Sequence, residues 1–289
     1  MKKKLSALLL AAVMCTSLLA GCGSTTTESA SANASSDASA DTSADASADA
    51  SADASADAST SEGGTIVFAT NPEFPPFEYI TTNGVIGEYD GIDMAIAKEI
   101  GERTGMNVEM QSMEFDSLLV ALQNGQIDAT IAGMTVTEER EKSVDFSTPY
   151  YTASQVMIVK EDSDITKATD MEGKTIAVVQ GYTGETVVQE LGYEYEAFKK
   201  GTECVMELVN GKCDVVVIDS ATAEKYVADN EGLKIVEDPD QFESEEYAIA
   251  VQKGNTELLT KINAAIEEML NDGTISDIAA QYADVDTEE

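Results

Sequence analysis

From Thr65 onward, short β-branched runs alternate with segments whose apolar residues recur every three or four positions. The first pattern predicts buried strands and the second amphipathic helices. Their alternation predicts an α/β fold with helices packed on a sheet. Strands are predicted at 65–70, 108–111, 127–132, 156–160, 175–179, 215–219 and 247–251, and helices at 92–103, 117–124, 183–191, 202–210, 220–229 and 255–271. The last helix is the best marked, with Asn255 as cap, Leu258, Ile262, Ile266 and Leu270 on one stripe, and Gly273 beyond its end.

Two stretches echo one another. LLVALQNGQIDATIAG (118–133) and CVMELVNGKCDVVVID (204–219) each read as helix, Asn-Gly stop and strand. In that register Asn124 matches Asn210, Gly125 matches Gly211, Asp128 matches Asp214, and Gly133 matches Asp219. Two similar lobes follow, each presenting a residue at the carboxyl end of an equivalent strand, where open α/β sheets bind ligands. Gly133 and Asp219 are therefore candidate partners across a cleft. The same register sets Cys204 against Leu118 and Cys213 against Ile127, core-like positions that suit either buried thiols or a helix-to-strand disulfide.

The N-terminus follows a different pattern. Lys2, Lys3 and Lys4 precede an apolar stretch at 5–20 and the string LLAGC ending at Cys22. This is an export signal, shorter than a membrane-spanning helix needs. LAGC resembles the bacterial lipobox, which implies cleavage after residue 21 and a lipid on Cys22. Residues 22–62 are mostly Ser, Thr, Ala and Asp with an S-A-D-A repeat. They have little to bury and carry repelling charges, so a disordered tether is expected. The folded part would then be anchored by lipid at the outer face of the cytoplasmic membrane.

Composition narrows the chemistry. The chain has 54 acidic and 17 basic residues, a net charge of -37 and no histidine. Nucleic acid is an unsuitable partner without clustered Lys and Arg. Histidine-based triads and the usual zinc sites are excluded. No metal or other cofactor is expected.

Four segments carry candidate binding groups. ATNPEFPPFEY (69–79) is a proline-rigidified loop bearing Asn71, Phe74 and Phe77, and Phe115 precedes a helix in MEFDSLL. Each of these three aromatics fits a core equally well. AGMTVTEER (132–140) places Thr135 and Arg140 on one turn. A guanidinium matches a carboxylate bidentately, though a surface ion pair with Glu138 or Glu139 is the alternative. In TIAVVQGYTGE (175–185) a glycine turn enters a helix at Thr183, where main-chain N–H groups can face an anion.

Together FPPFEY, GIDMAIAKEIGERTG, FDSLLVALQNGQIDATIAGMTVTEER, VDFSTPYY, GYTGE, NGKCDVVVID and NDGTISDIAAQY resemble, in order, the polar amino acid family of extracellular solute-binding proteins that serve ABC importers. The resemblance implies a two-lobed, type II periplasmic-binding-protein-like fold, each lobe a mixed sheet flanked by helices, joined by two hinge strands. Lobe 1 would comprise 63–152 plus 244–289 and lobe 2 would comprise 153–243, with crossings near 152–155 and 241–246. It also implies ligand contacts. Arg140, Thr135 and the N–H of Thr183 would take an α-carboxylate, Asp219 and the Gly133 carbonyl an α-ammonium. Phe74 and Phe115 would sandwich the side chain, and Asn71 would meet its far end. Asn71 stands where binders of basic amino acids often carry an acid, which favours a polar, uncharged ligand, although Glu73 and Glu78 lie nearby. Tyr182 replaces a common small residue.

The expected protein is a monomeric binder, not an enzyme, that passes a free amino acid to the transmembrane subunit of an ABC permease. Periplasmic-type cyclohexadienyl dehydratases share the resemblance, but no general acid stands beyond the acids already assigned. A ligand sensor docking on a membrane receptor shares the whole cleft.

Overall fold

The computed structural model describes residues 64–283. The signal at 1–21, the tether at 22–62 and the lipid site Cys22 lie outside the described residues.

The chain begins with β1 (Thr65–Thr70), then β2 (Glu73–Phe74), β3 (Glu78–Ile80) and β4 (Tyr89–Asp90), followed by α1 (Ile92–Thr104) and β5 (Asn107–Ser112). Next come α2 (Phe115–Gln123), β6 (Ala129–Thr130), α3 (Glu138–Glu141), β7 (Val144–Phe146) and the long β8 (Tyr151–Lys160). The second half holds β9 (Ile176–Val179), α4 (Thr183–Glu190), β10 (Tyr195–Phe198), α5 (Gly201–Val209), β11 (Val215–Asp219), α6 (Ser220–Asp229) and β12 (Leu233–Val236). It closes with β13 (Ser244–Tyr247), β14 (Ala250–Gln252), α7 (Thr256–Asp272) and α8 (Thr274–Ala283).

Two mixed sheets carry the fold. The first runs β5-β1-β6-β14-β7, with β5, β1 and β6 parallel and β14 antiparallel to β6. The second runs β10-β9-β11-β8-β12, again three parallel strands followed by an antiparallel one. Strand β8 joins them. Its first residues pair with β13, from Tyr151↔Tyr247 to Ser154↔Ser244, and its later residues pair with β11 and β12.

The sequence echo is a structural repeat. In the first sheet Asp128 Oδ2 accepts from Val67 N at 2.8 Å, and its own N–H donates to Val67 O. Asp214 makes the same pair of bonds with Thr175. Gly125 and Gly211 end their helices at φ 68° and 70°, a left-handed conformation that suits glycine. Leu118, Cys204, Ile127 and Cys213 are all buried. The thiols are free, and Cys213 Sγ donates to Cys204 O at 3.9 Å.

Differences from the sequence reading have local causes. The strand expected at 127–132 pairs only at Ala129–Thr130, and that at 247–251 divides into β13 and β14, because Ala248 and Ile249 leave the ladder as the chain passes between sheets. In α7 the buried stripe is Leu258, Ile262, Ala265, Ile266 and Met269, and Leu270 is exposed. A 3.6-residue turn carries the apolar face to Met269 rather than straight along every fourth residue. Helix α8 follows Gly273 directly, and the small sheet β2-β3-β4 was not predicted because its strands have two or three residues.

Burial holds the Cys204 thiol above its ordinary value and pushes Cys213 up to about 12. Alkylation of the native protein should therefore leave both untouched, and unfolding without reductant should add two alkyl groups by mass at Cys204 and Cys213. A disulfide would leave both peptides unmodified.

Candidate ligand-binding site

Seven of the eight expected side chains or backbones line one cavity: Phe74, Phe115, Gly133, Thr135, Arg140, Thr183 and Asp219, joined by Ala132 and Tyr182. Asn71, the eighth, is buried beside it and accepts from Tyr182 Oη at 3.3 Å. The two lobes are closed on one another. Across the opening Lys199 pairs with Asp116 at 2.7 Å and Lys200 with Glu73 at 2.5 Å.

Gly133 shows why the backbone matters at this point. Its φ is 52°, and a Cβ there would lie 2.5 Å from the Phe74 ring. Its N–H donates to Asp93 Oδ2 at 2.7 Å, and Tyr150 Oη donates to the same oxygen at 2.9 Å. Asp93 thus fixes the end of the strand from inside α1. Behind it lies the fully buried Glu78. Desolvation raises Glu78 well above its ordinary value, helped by the charge of Asp93; desolvation also raises Asp93 to about 7, against the bonds from Gly133 and Tyr150. Two adjacent buried carboxyls cannot both ionise cheaply, so Glu78 is held neutral.

Arg140 lies in the closed cleft. Its side chain donates to Thr135 O at 2.7 Å in the first lobe and to Gly181 O at 3.0 Å in the second, with the guanidinium 5.4 Å from the Phe115 ring centre. The surface pairing with Glu138 or Glu139 that the sequence left open does not form. Burial lowers its pKa, and Asp219 and Glu245 oppose that. Asp219 is raised to about 7 by desolvation and by Glu245, against a 2.6 Å hydrogen bond from Tyr247 Oη.

Sequence reasoning missed two groups, Glu245 and Gln155, and noted a third, Tyr182, without placing it in the cleft. Glu245, on the crossing strand β13, accepts from Thr135 Oγ1 at 2.7 Å and from Thr183 Oγ1 at 2.9 Å. Gln155, on β8, donates to Thr183 Oγ1 at 2.9 Å. Both threonine hydroxyls are thus committed within the protein, leaving Arg140 and the amides at the start of α4 as donors to an anion. Tyr182 packs edge-on against Phe74 and Phe115, with ring centres 5.3 and 4.6 Å away. Only pairing across strands places Glu245 and Gln155, and periodicity carries no such signal. Phe77 is not a cleft wall: it is fully buried against Tyr151 and Tyr247.

Residues 66–285 match the model of the bacterial extracellular solute-binding proteins, family 3. The chain belongs to that family. This solute-binding protein is 33% identical over 229 residues to the arginine-binding extracellular protein ArtP of Bacillus subtilis, covering 77% of this chain and 88% of the relative. The arginine-, lysine-, histidine-binding protein ArtJ of Geobacillus stearothermophilus superposes with a TM-score of 0.71 at 34% identity, over 75% of this chain and 94% of that one. An ancestral arginine-binding protein bound to glutamine gives a TM-score of 0.70 at 43% identity, over 76% and 97% of the two chains. The solute-binding protein has the two-lobed, type II periplasmic-binding-protein fold.

A carboxyl whose pKa is higher in the folded state supports stability fully below its unfolded value and loses it as pH rises through the folded one. Glu78→Gln keeps the shape without the titration. The gap in melting midpoint between this variant and the parent should widen in the variant's favour as pH rises above the ordinary glutamate value of 4.5. Expressed as unfolding free energy, the difference should grow by about 1.4 kcal/mol per pH unit for one proton. A pH-independent gap in thermal melts would refute a buried neutral Glu78.

Proposed function

We propose that this solute-binding protein captures a free L-amino acid with a polar, uncharged side chain between its lobes and delivers it to an ABC permease. Residues 63–152 plus 244–289 would act as one lobe and 153–243 as the other. The observation that carries the reading is Arg140 and Asp219 lining one cavity from opposite lobes, a cation and an anion set to face the two charges of a zwitterion. Asp219 and the Gly133 carbonyl suit the ammonium. Arg140 and the N–H of Thr183 suit the carboxylate, and the Thr135 hydroxyl can join them by leaving Glu245. Phe74 and Phe115 flank the side chain. The neutral Asn71 stands at its far end, and the nearby Glu73 is already paired with Lys200.

Arginine is a second reading. The cleft sets two carboxylates, Asp219 and Glu245, against the one guanidinium of Arg140, and a cationic ligand would offset the surplus. ArtP is named for arginine, and the ancestral relative is bound to glutamine.

Calorimetry on the full chain against the common amino acids tests both. Glutamine-class ligands should bind, and Arg140→Ala or Asp219→Ala should each weaken binding by about 3 kcal/mol, on the order of a hundredfold, by leaving a buried ligand charge unpaired. Tight binding of arginine with weak binding of glutamine would favour the second reading. No heat with any amino acid would overturn both.

Confinement to the membrane would come from Cys22. A diacylglycerol on this residue, with palmitate-class chains and cleavage after residue 21, would hold the protein near its permease and raise its effective concentration there. Intact mass of protein from a lipoprotein-processing bacterial host should show Cys22 as an acylated N-terminus. An unmodified mature cysteine would remove the anchor.

A further inference from the structure

The slot between Phe74 and Phe115 is occupied by a side chain of the protein itself. Tyr182 enters it from the second lobe, on the glycine turn that opens α4, and is buried. Its ring stands at 90° to Phe74 and 63° to Phe115, edge-on geometries that suit aromatic quadrupoles. Its hydroxyl reaches Asn71 Oδ1, while Asn71 Nδ2 donates to Met113 O at 3.1 Å. Both ends of the Asn71 amide are therefore engaged. With Tyr182 in place the cavity is about 10 Å³, room for about one water.

Every group assigned to a ligand side chain is thus satisfied by the phenol: two aromatic walls and one amide. We propose that Tyr182 is the specificity-determining residue of the cleft, a built-in competitor for the side-chain slot that a long ligand side chain must displace. Resting on the amino acid reading above, this sets the substrate class by length. Any ligand must widen this small cavity at the α-group contacts, but a short polar side chain needs nothing beyond them and leaves the phenol between its walls. Long ones bind only after breaking the two ring contacts and the bond to Asn71.

Isothermal titration of the full chain and of Tyr182→Ser with serine, alanine, glutamine and arginine tests this. Tyr182→Ser should tighten glutamine and arginine by at least about tenfold and leave alanine and serine within about twofold. Tyr182→Phe keeps the ring and loses only the hydroxyl, so its preference should stay near the parent's. The ratio of long to short ligands is decisive, because a merely structural role would shift all four together. A uniform change, or weaker binding of the long ligands to Tyr182→Ser, would overturn the proposal by making the tyrosine a scaffold or a true wall. Failure of the parent and both variants to bind any of the four overturns the amino acid reading instead.

Discussion

Closing the two lobes buries a guanidinium, and much of the cleft is arranged around that cost. An isolated buried cation is prohibitive unless hydrogen bonds and opposite charge replace its water. Arg140 receives both from both sides. Thr135 O comes from the first lobe and Gly181 O from the second, while Asp219 and Glu245 supply the charge. The closed form is thereby written into one side chain, since the Gly181 bond exists only when the lobes meet.

The acids then need support of their own. Asp219 is steadied by Tyr247, whose ring packs on Phe77 and Tyr151. Glu245 is steadied by hydroxyls from the two lobes, one of them further fixed by Gln155. Asp93 and Glu78 form a second acidic layer beneath the first, and it holds the Gly133 turn at which a cleft carbonyl is presented. Polar groups in such a layer are costly unless satisfied, and the cheapest satisfaction for Glu78 is to keep its proton.

How much of this the sequence disclosed depended on whether the signal was local. The repeat was legible because helix stops and strand starts are local: Asn-Gly followed by Asp fixes a left-handed turn and a pair of bonds to the neighbouring strand, and both copies kept them. Gly133 and Asp219 were legible from the repeat register and the other five cleft residues through family resemblance, and the structure gathers all seven around one cavity. Glu245 and Gln155 were not, because each sits on a crossing strand and reaches the cleft only by tertiary pairing. Tyr182 was noticed as a departure, but whether it faced the cleft or solvent could not be read from a glycine turn. The short strands β2, β3 and β4 fell below the length at which alternation can be recognised.

Strand β8 works mechanically as a torsion bar. Each sheet is stiffened by several neighbouring strands and packed helices, but between them the four residue pairs from Tyr151↔Tyr247 to Ser154↔Ser244 make a narrow ribbon, flanked further only at its Tyr247 end, where Thr135 bridges to it. Two-stranded ribbons tolerate more twist than broad sheets. Rotation therefore concentrates in the ribbon, and an angular change there is what would part Lys199 from Asp116.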